Sequence, residues 1–268
     1  MKNTIVALSL FSFLAFSSCK KGDSPITPSL QTNAKEAEKL VVDSVKINDS
    51  VRINNALSVN YSAKLLVFPE IKDQKLLDSI YFRNQNIADF SKQGLQDFLR
   101  KEKENFFKDR KGGSYGGDAG KWYSHFDMNL KNNINDFMHI EYSEDSYYGG
   151  AHGSFDFFER VFDLRANTKV TLGDITTISE KDLEKLLMKN IDKVPSGAAK
   201  PEGKNSDMLL VKDIPVTDNF YFDDENLYFR YNSYAIASYA AGDITIPVSW
   251  EDLKGTLKPE FKERMKIK

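Results

Sequence analysis

Residues 147–153 read Tyr-Tyr-Gly-Gly-Ala-His-Gly and put three glycines within five positions, between two stretches of strand-like sequence. Glycine this dense inside a sheet pattern requires backbone at positive φ, or a neighbouring segment too close for a Cβ. Before it, Trp122, Phe126, Met128 and Leu130 alternate with mostly polar residues, and residues 137–142 read as the adjoining strand. After it, residues 155–164 form an aromatic strand. The spacing therefore predicts a sheet closed around a specially shaped connection.

The flanking sequence supplies what packs on that sheet. Leu57, Val59, Tyr61, Ala63, Leu65 and Val67 alternate as a strand that ends at Pro69. Over residues 74–107 the apolar period becomes helical, with Gly94 as the weak point where one helix splits into two. Residues 111–120 form a glycine-rich loop that lacks the Gly-Lys-Ser/Thr ending of a phosphate cradle. Residues 165–168 read as a turn, and 170–175 as a short extended piece. A helix capped at Ser179 follows, then a loop over 195–205 and a hairpin whose strands flank Asp223-Asp224-Glu225-Asn226. A loop at 232–242 leads to a last strand at 244–248, where Pro247 marks an edge, and a short helix begins at Ser249. The expected class is α+β: mainly antiparallel sheet, helices packed on one side, in two intimate subdomains.

The N-terminus has a different character. Lys2 precedes a twelve-residue apolar run from Ile5 to Phe16, too short for a membrane span of about 20 residues, and small residues lead into Cys19. This pattern resembles a bacterial lipobox: residues 1–18 as signal peptide, Cys19 lipidated, and residues 19–36 as a polar, proline-bearing tether. The alternative is an ordinary secretory peptide followed by a free thiol. Lipidation would place the protein in the bacterial cell envelope, at the outer membrane since Lys20 rather than Asp follows the cysteine, with the face of the membrane left open. Committing the only cysteine to lipid leaves the folded part without disulfides. A formal net charge of −2 argues against nucleic acid, while 41% hydrophobic and 12% aromatic content supports a real core.

His152, Ser154 and Asp156 suggest a hydrolytic triad, but same-face residues on one strand do not readily meet through the hydrogen bonds a triad needs. His125, His139 and His152 are far apart in sequence and no cysteine is free, so no metal or other cofactor is expected. Tyr147, Tyr148, Tyr234 and Tyr239 are candidates either for core packing or for an aromatic binding surface.

The segments Tyr148-Gly149-Gly150-Ala151-His152-Gly153, Phe162-Asp163-Leu164 with Leu172-Gly173-Asp174, and Tyr231-Asn232 through Tyr239-Ala240-Ala241-Gly242 resemble the RsiV-like C-terminal domain. The part before them resembles its usual companion domain. The resemblance implies a companion subdomain over residues 37–120 and the RsiV-like domain over 121–268. That family includes extracytoplasmic parts of anti-sigma factors that sense lysozyme, companions of peptidoglycan deacetylases, and many lipoproteins. Here Ser233 and Ala235 replace the Pro and Glu frequent in the family's loop, and neither a cytoplasmic anti-sigma segment nor a deacetylase domain is expected. The expected function is a non-enzymatic envelope binding module for peptidoglycan or lysozyme-type muramidases. Its candidate contacts are Tyr148, His152, Tyr234 and Tyr239, with Gly149, Gly150, Gly153 and Gly242 shaping the backbone. The alternatives are a cell-wall hydrolase using His152, or a scaffold contacting only envelope proteins.

Overall fold

A computed structural model describes residues 40–84, 86–113, 119–194 and 203–268. The segment expected to be a lipobox with Cys19, the expected tether, the centre of the glycine-rich loop and most of the 195–205 loop lie outside the described residues. Two sheets organise residues 40–268. The larger runs β1 (Asp43–Arg52), β2 (Leu57–Val67), β3 (Gly120–Ile134), β4 (Phe137–Tyr147), β5 (Ser154–Asp163) and β6 (Thr168–Lys169), in that spatial order. The smaller runs β7 (Phe220–Phe222), β8 (Asn226–Tyr231) and β9 (Ile244–Ser249). All neighbours are antiparallel except β2 and β3. That parallel pair needs a crossover, supplied by α1 (Gln74–Ile80) and α2 (Lys92–Gly112). The class is α+β, as the periodicity indicated. Among the described residues no helix is long and apolar enough to cross a membrane.

Alternation along the strands decides what each face of the large sheet buries. Leu65, Met128, Ile140, Tyr142 and Phe162 point to the helical side and pack with Leu76, Ile80, Leu95 and Leu99 of α1 and α2. Tyr142 is fully buried, and its hydroxyl donates to the Ile80 carbonyl at 2.6 Å, fixing the end of α1. On the other face Phe137 and Val161 join a second core with Phe220, Phe222, Phe229, Ile246 and Trp250. This core also takes in α4 (Glu180–Asn190), α5 (Trp250–Leu253) and α6 (Pro259–Met265).

Several elements depart from the sequence reading for local reasons. The helical stretch breaks between Ile80 and Lys92, not at Gly94, because Asp73 and Ser91 each cap a separate helix. Gly94 lies in the first turn of α2, donating its N–H to the Ser91 hydroxyl, and a Cβ there would sit 2.4 Å from the Asp89 carbonyl oxygen. The piece read as extended at 170–175 contains a helical turn, α3 (Leu172–Ile175). Its cause is Asp174, whose carboxylate accepts from both the N–H and the hydroxyl of Thr171. Elements not anticipated include β1, whose Val45 and Ile47 alternate too briefly to stand out, the two-residue β6 at the end of the expected turn, and α6, entered through Pro259. The β3–β4 hairpin closes through Asn135 and Asp136, both at positive φ as a two-residue primed turn requires.

The two sheets meet at the outer edge of β5, where β6 pairs only with Phe162 and Asp163. The open edge at Phe157 and Glu159 would otherwise expose unpaired backbone. Side-chain amides fill it. Asn232 accepts from the Phe157 N–H at 2.8 Å and donates to the Phe157 carbonyl, while Asn219 accepts from the Glu159 N–H at 2.6 Å and donates to that same carbonyl. Beside them Glu159, 3% exposed, receives His139 Nε2 on one oxygen and Arg230 on the other, each at 2.6 Å. Arg230 also binds Glu141 at 2.9 Å and Asp243 at 3.0 Å, and its guanidinium lies 3.3 Å from the Phe157 ring centroid. Burial works against the Arg230 charge, but Glu159 and Asp243 outweigh it and hold its pKa above the ordinary value.

Arg230→Met leaves the buried Glu159 carboxylate without its cation. It is expected to lower the unfolding free energy by about 3 kcal/mol or more. Arg83→Met breaks the half-exposed pair with Glu144 and should cost at most about 1 kcal/mol. Urea unfolding of both variants checks this, and equal losses would contradict a seam held by buried charge.

Candidate functional site

The β4–β5 connection is built as the glycine pattern demands. Gly149 and Gly150 have φ of 90° and 99°, a region L side chains rarely adopt. Gly149 also passes over the Trp122 indole, where a Cβ would stand 3.4 Å from Nε1. Gly150 is steadied by the Tyr147 hydroxyl, which donates to its carbonyl at 3.0 Å. At Gly153 the reason is proximity, since a Cβ would lie 2.7 Å from the Ser146 carbonyl oxygen. The tip is thereby folded tightly back, with Ser146 paired to Ser154.

This puts His152 against the loop at 232–242, more than eighty residues away in sequence. The His152 ring stacks on Tyr239 with centroids 3.9 Å apart and planes 22° apart. Nδ1 lies 2.8 Å from the Gly153 carbonyl; because that oxygen can only accept, the proton sits on Nδ1. Tyr239 donates to the same carbonyl at 3.3 Å. Tyr234 completes the group, 5.7 Å from Tyr239 and 6.3 Å from His152. It is 60% exposed and has φ of 69°, an aromatic side chain held outward from left-handed backbone. Gly242, at φ of 68°, turns the chain from this loop into β9.

Of the candidate contacts, the structure brings His152, Tyr234 and Tyr239 together. Tyr148 lies elsewhere, one residue past the end of β4. It packs 6.4 Å from both Phe106 and Trp122, under the Arg110 guanidinium at 4.3 Å. On the sheet face near the ring group, Tyr123 stacks on His125 at 4.7 Å. Burial, then the Asp145 carboxylate, push the Tyr123 phenol above its ordinary pKa.

The hydrogen bonds around His152 run to backbone. Ser154 donates to Asp156 at 3.1 Å and His152 to Gly153, so no Ser–His relay joins them among the described residues. Nor do three or more His, Cys, Asp or Glu side chains among the described residues converge as a metal ion would need. The acidic tip at 223–225 serves the turn. One Asp223 oxygen accepts from the Glu225 and Asn226 N–H groups, the other from the Tyr228 hydroxyl. The groups not found from sequence are His139, Glu159 and Arg230. His139 lies flat on Tyr221 at 4.7 Å with planes 9° apart, and its Nδ1 is buried without a hydrogen-bond partner. Burial, with Glu159 adding to it, pushes the Tyr221 phenol up to about 12. A histidine and two glutamates alternating with Met138, Ile140 and Phe158 were the available signal, but their partner Arg230 lies on another sheet.

Residues 169–251, from β6 through β9, match the model of a family described as a protein of unknown function, DUF3298. Two solved structures share the architecture. A DUF3298 family member from Bacteroides fragilis NCTC 9343 is 22% identical with a TM-score of 0.67, the match covering 85% of this chain and 98% of that one. A DUF3298 family protein from Pseudomonas aeruginosa PAO1 is 17% identical with a TM-score of 0.56, covering 84% and 97%. At these identities the likeness is one of fold. No curated protein matches the chain.

Two glycine substitutions separate conformation from proximity. Gly150→Ala meets no neighbour and should cost about 1 kcal/mol from its positive φ alone, leaving the His152–Tyr239 stack in place. Gly153→Ala should cost more and shift the His152 ring resonances in NMR, because the Ser146 backbone cannot yield to a Cβ. Unchanged His152 resonances in Gly153→Ala would contradict this account of the tip.

Proposed function

We propose that the protein is an envelope lipoprotein, anchored through Cys19, whose folded part is a non-enzymatic binding module. In this reading Tyr234, Tyr239 and His152 form its contact surface, and a cell-wall glycan is the ligand. The observation that carries it is Tyr234. An aromatic ring is kept exposed on backbone that disfavours any side chain, although glycine would relieve that strain. Rings of this kind cover a sugar face with large contact area and little loss of side-chain entropy. The stacked Tyr239 and His152, tied to the Gly153 carbonyl, hold the surface behind it rigid.

A second reading, a lysozyme-type muramidase as the partner, is favoured by the resemblance of residues 148–153 and 231–242 to the RsiV-like domain. Two acidic groups that could have drawn a basic partner are already engaged, Glu144 by Arg83 and Asp223 by its own turn. Attraction of a basic partner by these two carboxylates is thus weakened. The competing hydrolase reading would need His152 to reach a nucleophile, and its one hydrogen-bonded nitrogen faces a carbonyl.

Tyr234→Gly removes the ring and the strain together. Binding of purified muropeptides, followed by titration calorimetry, is expected to weaken at least tenfold, with stability unchanged or raised within about 1 kcal/mol. Intact binding, or a loss of stability above about 2 kcal/mol, would mean that the ring serves the fold. The same titration against a lysozyme separates the two partner classes. For the anchor, Cys19→Ser should abolish incorporation of a labelled fatty-acid analogue in cells, and equal label in both proteins would remove the lipoprotein assignment.

A further inference from the structure

Beyond the amide-filled stretch of β5, a cavity of about 390 Å³ opens between α1's end and the loops of the smaller sheet. That volume lies within the range of small-molecule sites. Phe82 and Phe158 form one wall, and Arg160, Lys169 and Asp218 bring charge to it. Glu159 and Arg230 also border it but are consumed, Glu159 by His139 and Arg230, Arg230 by three carboxylates.

Arg160 and Lys169 are not consumed. Arg160 spends one guanidinium nitrogen on the Ser79 carbonyl at 3.1 Å and lies 3.2 Å from the Phe82 ring centroid. Neither cation forms an ion pair with a carboxylate among the described residues. Both are partly buried, and burial holds both below their ordinary pKa values; for Lys169 the charge of Arg160 adds to this, while Asp218 pulls both the other way. Two half-buried like charges facing one cavity are unfavourable unless something neutralises them, and a structure that keeps them together is arranged for an anion. With Asp218 set against the two cations, one positive charge is left over. That balance suits a monoanion and disfavours a dianion.

We propose that this cavity is a second binding site, for a small organic carboxylate held between Arg160 and Lys169 with its apolar body against Phe82 and Phe158. The remaining guanidinium donors suit the planar oxygen pair of a carboxylate. The site is separate from the Tyr234 surface, although Asn232 and Ala235 of the same loop form part of its wall.

The test uses benzoate as probe and the 15N-labelled mature chain, followed by NMR titration. Saturable shifts are expected at Arg160, Lys169 and Ala235, with benzyl alcohol, the uncharged analogue, giving none. Lys169→Met and Arg160→Gln should each weaken benzoate at least tenfold; Lys169→Met alone decides the matter if the loss of the Ser79 contact unfolds Arg160→Gln. Asp218→Asn should strengthen benzoate severalfold, an outcome that damage to the fold would not produce. Benzyl alcohol equal to benzoate, benzoate unaffected in Lys169→Met, or inorganic phosphate bound as tightly as benzoate would each overturn the assignment.

Discussion

The structure depends on how the outer edge of β5 is closed. A sheet edge leaves backbone groups that must be paired or hydrated, and here two asparagine side chains do the work of a missing strand. Asn219 immediately precedes β7 and Asn232 immediately follows β8, so the three bonds at Phe157 and the one at Glu159 fix the smaller sheet in both position and direction. Once that register is set, Arg230 of β8 falls over Phe157 and meets Glu159. The charge cluster is therefore a consequence of the amide pairing as well as its reinforcement. Buried ion pairs of this kind add less net stability than their distances suggest. Their effect is to make one docking geometry far better than any slipped one.

The candidate site inherits its geometry from the same seam. Asn232 is both the last amide on the β5 edge and the first residue of the loop that carries Tyr234 and Tyr239. From the other side the glycines of the β4–β5 tip bring His152 to Tyr239. Two loops that are irregular by themselves are thus held by elements packed beneath them. Tyr234 is the exception: neither sheet shields its ring, and its backbone is strained. A local conflict in an otherwise consistent fold is where function is expected.

Much of this was legible in the sequence, for identifiable reasons. The period-two runs of β2 and β3, the aromatic run of β5 and the glycine cluster each encode their structure locally, so strand positions and positive φ at Gly149 and Gly150 could be read directly. Other features are not local. Gly94 reads as a helix breaker by propensity, yet Ser91 starts α2 just before it and makes it a first-turn residue. Asp174 caps Thr171 and turns an extended-looking piece into a helical turn. His139 looked isolated because its partner Glu159 is reached only through the register of β4 and β5, and Arg230 only through the docking of a second sheet. Residue type groups Tyr148 with His152, Tyr234 and Tyr239, but it packs with Phe106 and Trp122, contacts set by the docking of α2 and the register of β3 and so not readable along the chain.

A seam that holds a rigid ring surface, with the proposed ligand meeting its exposed edge, makes a definite demand on hydrogen exchange of the protein with and without saturating muropeptide. The Phe157 and Glu159 amides should exchange slowly in both states, and protection on adding ligand should be confined to the 150–153 tip and the 232–241 loop. Fast exchange at Phe157 and Glu159 without ligand, or protection that falls outside those two loops, would contradict it.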